Sequence, residues 1–210
     1  MIAAQGVGGD YYDFIPMDND RIALCLVDIS GKGLPASLLM ANLQATLRSQ
    51  VFISASPKEC MRRVNDLLFR STADDKFATL FLGVLDAQNH TLTYCNAGQE
   101  HPCLFAQDAS CKRLITGGPM VGAFDGAGFE EECIELHAGD TLVTFSDGYT
   151  EAINKQAEQY SDLRVQQALE SVRTKPAKEI IEYAGRENKA HAIGLPQSDD
   201  MTMIVVRRLQ

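Results

Sequence analysis

Ile22-Ala23-Leu24-Cys25-Leu26-Val27-Asp28-Ile29-Ser30-Gly31-Lys32-Gly33 is an almost wholly apolar run that ends on an acid and two glycines. A strand reads this way when both of its faces are buried. Asp28 near its end is an expensive place for a carboxylate unless something offsets the charge. The glycines that follow let the backbone turn sharply past a ligand. If the backbone leaves the sheet here, the Ile29 carbonyl is open to a metal while its side chain joins the core. Just upstream, Gly8-Gly9 opens the run Asp10 to Met17, whose aromatic residues suit a strand. Asp18-Asn19-Asp20 is a turn cluster so short that the two strands are expected to pair as an antiparallel hairpin.

Three further acidic stretches resemble the Asp28 motif in placement. Asp10 follows Gly8-Gly9, Asp147 stands in Ser146-Asp147-Gly148 after Thr141-Leu142-Val143-Thr144-Phe145, and Asp199-Asp200 precedes Met201 to Val206. Each alone is explained by a plain turn or a loop cap. Four acids set against strand-like runs are harder to explain that way, because strand ends far apart in sequence can meet in space. Several hard oxygen donors at one point suit Mg²⁺ or Mn²⁺, the setting for metal-activated water attacking a phosphate.

The 210 residues fit one large domain, and 45% hydrophobic with 22% charged is a globular composition. A formal charge of -9 argues against non-specific nucleic-acid partners and against docking on anionic membranes. Cys25, Cys60, Cys95, Cys103, Cys111 and Cys133 include no Cys-x-x-Cys pair. They are expected to be small core residues kept reduced in a cytoplasm, with Cys25, Cys95 and Cys133 unpaired and buried. His90, His101, His137 and His191 are scattered, which rejects a structural zinc. No apolar run approaches a membrane span, and Met1-Ile2-Ala3-Ala4 carries no basic leader.

Along the chain, Leu34 to about Gln50 reads as a helix with Pro35 in its first turn. Its apolar residues cover much of the circumference, Leu38 and Leu43 among them, so it is expected to be substantially buried. Ser56-Pro57 starts a second helix. Phe77 to Leu85 and Thr91 to Cys95 form a hairpin, and Cys103 to Phe105 and Cys111 to Ile115 are short strands. Gly117 to Gly128 is a glycine-rich loop, followed by strands over Glu130 to Leu136 and Asp140 to Phe145. Helices follow near Leu163 to Val172 and Ala177 to Lys189, and Met201 to Arg208 closes as a strand. Hairpins alternating with helix pairs predict antiparallel sheets flanked by helices.

Ser30-Gly31-Lys32-Gly33 lacks the full phosphate-loop pattern, because Gly33 follows Lys32. Lys32 reads as a solvated side chain before a phosphate contact. Nothing in the sequence orients His101 as a general acid, and no nucleophile elbow is present.

Taken together and in order, Val7-Gly8-Gly9-Asp10-Tyr11-Tyr12-Asp13-Phe14, Asp28 through Ala36, Phe77-Ala78-Thr79-Leu80-Phe81, Asn96-Ala97-Gly98, Ser146-Asp147-Gly148 and Asp199-Asp200-Met201-Thr202 have a counterpart. The chain resembles the bacterial metal-dependent (PPM, protein phosphatase 2C-like) protein phosphatases of the SpoIIE/RsbU branch over its whole length. The resemblance implies one α+β domain over 1–210, an αββα sandwich of two mainly antiparallel sheets flanked by helix pairs, with two Mn²⁺ or Mg²⁺ ions at one end. It implies that Asp28 bridges both ions, that the Ile29 carbonyl binds one, that Asp147 and Asp199 bind the other, and that Asp10 acts through water. Asp199 rather than Asp200 matches the ligand position, because the pattern runs Asp, then Asn or Asp, an apolar residue, then Thr or Ser. The chain departs from the family at Gln99, where His is frequent. The family's first strand and an upstream sensor or receiver domain are expected to lie outside this sequence.

The expected activity is hydrolysis of a phosphoserine or phosphothreonine on a regulatory protein, by attack of a hydroxide bridging the two metals. By resemblance, that protein is an anti-sigma-factor antagonist. The alternatives are a small-molecule phosphoesterase, or a catalytically weak docking module of a larger response regulator.

Overall fold

Asn19 and Asp20 both adopt positive φ, 62° and 55°, which closes the expected tight hairpin. This is seen in a computed structural model that describes residues 1–4, 8–31, 33–72 and 76–209. Lys32 lies outside the described residues. In chain order, the described residues form strands β1 (Tyr11–Pro16) and β2 (Arg21–Ile29), helices α1 (Leu34–Ile53) and α2 (Pro57–Ser71), and strands β3 (Ala78–Asp86), β4 (Thr91–Ala97), β5 (Cys103–Phe105), β6 (Cys111–Arg113), β7 (Gly117–Gly118), β8 (Glu132–Glu135) and β9 (Thr141–Phe145). Helices α3 (Asp162–Val172) and α4 (Ala177–His191) and strand β10 (Met203–Arg207) complete it. Among the described residues, no helix is long and apolar enough to cross a membrane.

Contacts divide the chain into two compact units. One comprises Val7–Gln99 and Ile115–Leu136. Its sheet runs β1-β2-β3-β4-β7, with β8 also paired to β4. All of these pairings are antiparallel except β4 with β7. Cys25, Val27, Leu80, Leu82 and Cys95 pack on one face with Leu43 and Leu47 of α1 and Met61, Val64 and Leu68 of α2. Leu24, Leu26, Phe81 and Tyr94, on the other face, are buried as well. Burial on both faces is why β2 reads as a continuous apolar run, although its neighbours are antiparallel. Phe81 and Tyr94 stack tilted, with ring centroids 5.8 Å apart.

Helix α1 is less buried than its composition predicts. Ala36, Leu39, Leu43, Leu47 and Val51 face the core, whereas Leu34 and Leu38 are 68% and 65% exposed. Spacing of four and three residues fixes one buried stripe, and apolar residues off that stripe stay outside. Val51, buried in the same cluster, extends the helix beyond Gln50 to Ile53. Arg48 of α1 forms a bidentate ion pair with Asp13 of β1, at 2.6 and 2.9 Å, and the Tyr11 hydroxyl donates to the same carboxylate.

The glycine-rich loop hides a strand. β7 pairs in parallel with Asn96 and Ala97 of β4. A Cβ on Gly117 would lie 1.7 Å from the Asn96 carbonyl oxygen, so the approach requires glycine. β8 joins this sheet and β9 joins the other, so the two adjacent runs around Ala138-Gly139 belong to different sheets. Cys133 is exposed, against the expectation of a core position, because β8 turns Ile134 inward and Cys133 outward, and Cys111 of β6 is half-buried. All six cysteines are free.

The second unit comprises Met1–Gly6, Glu100–Leu114 and His137–Gln210. Its antiparallel sheet is ordered β10-β9-β5-β6. Val143, Phe145, Cys103 and Phe105 of the sheet share a core with Val165 and Leu169 of α3 and Ile180 and Ala184 of α4.

Candidate metal centre

In the β1–β2 unit, Tyr11 pairs with Val27, so Asp10 stands one step beyond the ladder, beside Asp28. Asp10 is buried and Asp28 half-buried. On its other side Asp28 pairs with Thr79 of β3, and Ile29 pairs with Ala78. The next rung is made by Ser30, whose N–H donates to the Phe77 carbonyl at 3.0 Å. In an antiparallel strand, successive residues direct their backbone groups to opposite sides. The Ile29 carbonyl therefore turns away from β3, toward Gly9. An ideal Cβ on Gly9 lies 3.5 Å from that oxygen.

The rim beside Asp28 holds a polar pair that sequence reasoning did not assign. The Thr79 hydroxyl donates to Oε1 of Gln99 at 2.8 Å. Gln99 is buried and locked to Asn96 by two bonds. Its N–H donates to the Asn96 carboxamide oxygen at 2.9 Å, and the Asn96 carboxamide donates back to its carbonyl at 3.1 Å. The sequence signal was present in Asn96-Ala97-Gly98-Gln99, but the partner Thr79 follows only from strand register. His101, two residues on, is exposed.

In the β9–β10 unit, a buried serine joins the two acidic segments. The Ser146 N–H donates to the Thr202 carbonyl at 3.0 Å, and its hydroxyl accepts from the Thr202 N–H at 3.0 Å and donates to the Asp200 carbonyl at 3.2 Å. Asp147 then opens a single 3₁₀ turn, Asp147–Tyr149. Its carbonyl accepts the N–H groups of Thr150 and Glu151, each at 2.8 Å. A Cβ on Gly148 would sit 2.0 Å from the Asp200 carbonyl oxygen. Ser146 and Gly148 thus bring Asp147 against the Asp199–Asp200 segment. Neither role is legible from a Ser-Asp-Gly turn alone.

Asp199 and Asp200 are used differently. Asp200 is 6% exposed and accepts the Ala4 N–H at 2.7 Å. Asp199 is half-buried, and its carboxylate accepts the Asp200 N–H at 2.9 Å. Among the described residues, no group of three or more His, Cys, Asp or Glu forms a ready metal cage. The acids fall around Asp28 in one unit and around Asp147 in the other. The donors are carboxylates and a backbone carbonyl, which are hard oxygen ligands. That set fits a cation which takes one or two carboxylates and keeps several waters.

A family model described as Stage II sporulation protein E (SpoIIE) matches residues 18–209. Protein IcfG of Synechocystis is 28% identical over 98% of this chain and 36% of its own length. Phosphoserine phosphatase RsbU of Bacillus subtilis is 27% identical over 99% of this chain and 61% of its own length. The chain therefore spans only part of the curated relatives it matches. Among solved structures, the SiaA-PP2C domain of Pseudomonas aeruginosa superimposes with a TM-score of 0.88 at 18% identity, over 98% of this chain and 83% of that one. The SpoIIE phosphatase domain of Bacillus subtilis gives 0.83 at 25% identity, over 99% and 61%. RsbX, solved in complex with magnesium, gives 0.70 at 14% identity, over 98% and 90%. The fold is that of the PP2C phosphatase domains, α+β with two mainly antiparallel sheets, as the sequence predicts.

Proposed function

The chain belongs to the SpoIIE family of PPM-type phosphatases, and on that premise we propose that it is a metal-dependent phosphatase of phosphoserine or phosphothreonine in a regulatory protein. The residues that would hold the two Mn²⁺ or Mg²⁺ ions are Asp28, the Ile29 carbonyl, Asp147 and Asp199, with Asp10 acting through water. When bound, such ions activate water and offset the charge on phosphoryl oxygens. The chain's own residues position the donors. Ser146 and Gly148 hold Asp147 against the Asp199 segment. Asp200 is committed to the Ala4 N–H, which favours Asp199 as the ligand. Thr79, the partner of Asp28 across the β2–β3 ladder, is tied in turn to Gln99.

The observation that supports this most is the Gly148–Asp200 approach. It joins two acids some fifty residues apart in a way that a capping or turn role for either does not call for. The likeness to phosphoserine phosphatase RsbU supports a phosphoserine substrate, and the family resemblance suggests a regulatory protein of the anti-sigma-factor-antagonist kind. The test is Mn²⁺-dependent phosphate release from phosphoserine peptides, p-nitrophenyl phosphate and nucleotides. Turnover of peptides above nucleotides supports the assignment. Turnover confined to nucleotides assigns a small-molecule phosphoesterase, and no metal-dependent turnover on any of the three refutes the enzyme.

A further inference from the structure

Within the β9–β10 unit, next to Gly148, lies an apolar cavity of about 280 Å³. Its wall includes Gly148, Ala152, Ile153, Ile193, Leu195 and Met201. Gly148 is the residue after Asp147. Ser198, also in the wall, precedes Asp199. The wall is thus formed in part by the chain neighbours of Asp147 and Asp199. Its floor is fixed, because buried Asn188 donates to the Tyr149 carbonyl at 2.8 Å.

The mouth is apolar and open. Ile193 is 70% exposed, Ile153 41% and Leu195 37%. Single exposed apolar residues are ordinary, but three around one cavity make a patch of the kind that binds. The volume falls at the lower edge of ordinary ligand pockets, roughly 300–1,000 Å³, and so suits a side chain better than a nucleotide. Lys189 on the rim is a cation in a chain of net charge -9, which favours an occupant that arrives with negative charge nearby. A phosphorylated peptide is such an occupant.

We propose that this cavity is a specificity subsite that takes an apolar side chain of the phosphoprotein substrate, two or three residues from its phosphoserine, an inference that stands on the phosphatase assignment above. An extended peptide advances about 3.3 Å per residue, so such a side chain lies roughly 7–10 Å from the phosphoserine, within reach of a cavity that begins one residue from Asp147. Apolar burial supplies the preference, and a charged replacement on the wall removes it.

The experiment uses phosphoserine peptides with leucine or aspartate at each of the positions two and three residues before and after the phosphoserine. Leucine at one of these positions is expected to raise kcat/KM about tenfold or more, chiefly through KM, and to tighten binding measured by fluorescence anisotropy without metal. In Ile153→Asp and Leu195→Asp, turnover of the leucine peptide relative to p-nitrophenyl phosphate in the same variant is expected to fall by a similar factor. Both residues are partly exposed, so the fold tolerates the change, and a melting curve checks this. Turnover of p-nitrophenyl phosphate with no leucine preference overturns the subsite alone. A leucine preference that survives both variants does the same. No Mn²⁺-dependent turnover of p-nitrophenyl phosphate or any peptide overturns the phosphatase assignment and the subsite with it. A concentration-dependent dimer dissolved by Ile193→Asp would give the patch to a second copy of the chain and overturn the substrate role.

Discussion

Replacing Gly148 with alanine places a methyl group where the Asp200 backbone already is. The new Cβ would lie 2.0 Å from the Asp200 carbonyl oxygen, 2.8 Å from its carbon and 3.2 Å from Cγ of Met201. The first contact is about 1 Å short of the 3.0 Å below which real Cβ contacts are essentially never seen. The obstacle is backbone, which cannot swing aside as the end of a side chain can. Either the Asp147 turn or the Asp199–Asp200 segment must therefore move by about 1 Å. Overpacking on this scale costs about 1–3 kcal/mol. For a chain of this size, that lowers Tm by roughly 2–12 °C. Because the displaced segments carry two assigned ligands, a shift of about 1 Å should also cost on the order of 100-fold in turnover. The assay is a thermal melt with and without Mn²⁺, together with Mn²⁺ titration of p-nitrophenyl phosphate hydrolysis. Gly185→Ala is the comparison, since nothing lies within 4 Å of its added methyl group and it sits inside α4. That change should stabilise by about 0.5–1 kcal/mol. A Gly148→Ala protein that melts and responds to Mn²⁺ like the parent would refute the close approach and the half-site built on it.

Asp28→Asn and Asp147→Asn should each remove most metal-dependent turnover with little change in the metal-free melt, because a carboxamide keeps the shape and loses the charge. Near-normal turnover by either at limiting Mn²⁺ contradicts the assignment. Asp199→Asn should weaken Mn²⁺ dependence more than Tm, whereas Asp200→Ala should lower Tm by removing the acceptor of the half-buried Ala4 N–H, at about 0.5–1.5 kcal/mol. The reverse order would shift the ligand to Asp200. Burial alone would raise the Asp13 carboxyl, but the bonds from Arg48 and Tyr11 outweigh it and hold it below its ordinary value of 3.8. A lowered folded pKa stabilises the fold above the ordinary value, and that contribution is lost as pH falls through the folded one. The Tm difference between the parent and Arg48→Leu should therefore be constant from pH 7 to about 4.5 and shrink below about pH 4. A gap that is unchanged at pH 3 contradicts the pairing.

What the sequence reveals here depends on whether a feature is local. The Asp18-Asn19-Asp20 turn, the doubly buried β2 run and the four helices rest on composition and period within one segment, and all appear in the structure. β7 left no such trace, because two glycines have no side-chain alternation. Its existence depends on Asn96 leaving room for a backbone, which only the fold reveals. The separation of β8 from β9 is hidden for a related reason, since adjacent strands joined by Ala138-Gly139 look like a hairpin until each finds its sheet. Leu38 and Cys133 were misplaced because apolar character was read without its face. In both elements, the periodic neighbours Leu39 and Ile134 took the buried side.

The acids themselves were legible and their supports were not, for a physical reason. A carboxylate at the edge of an apolar run is visible as a break in hydrophobicity. The groups that aim it are set by register across strands, and register is not written in either strand alone. In the β1–β2 unit, the pairing of Tyr11 with Val27 carries Asp10 to Asp28, and the Ser30 rung turns the Ile29 carbonyl the same way. In the β9–β10 unit, the pairing of Phe145 with Met203 ends where Ser146 takes over the ladder and fastens Asp147 to Asp200. In each unit the acids thus stand next to the last rung of an antiparallel ladder. The acids inherit the rigidity of the sheet rather than the freedom of a loop, as charge placement at a phosphoryl group demands.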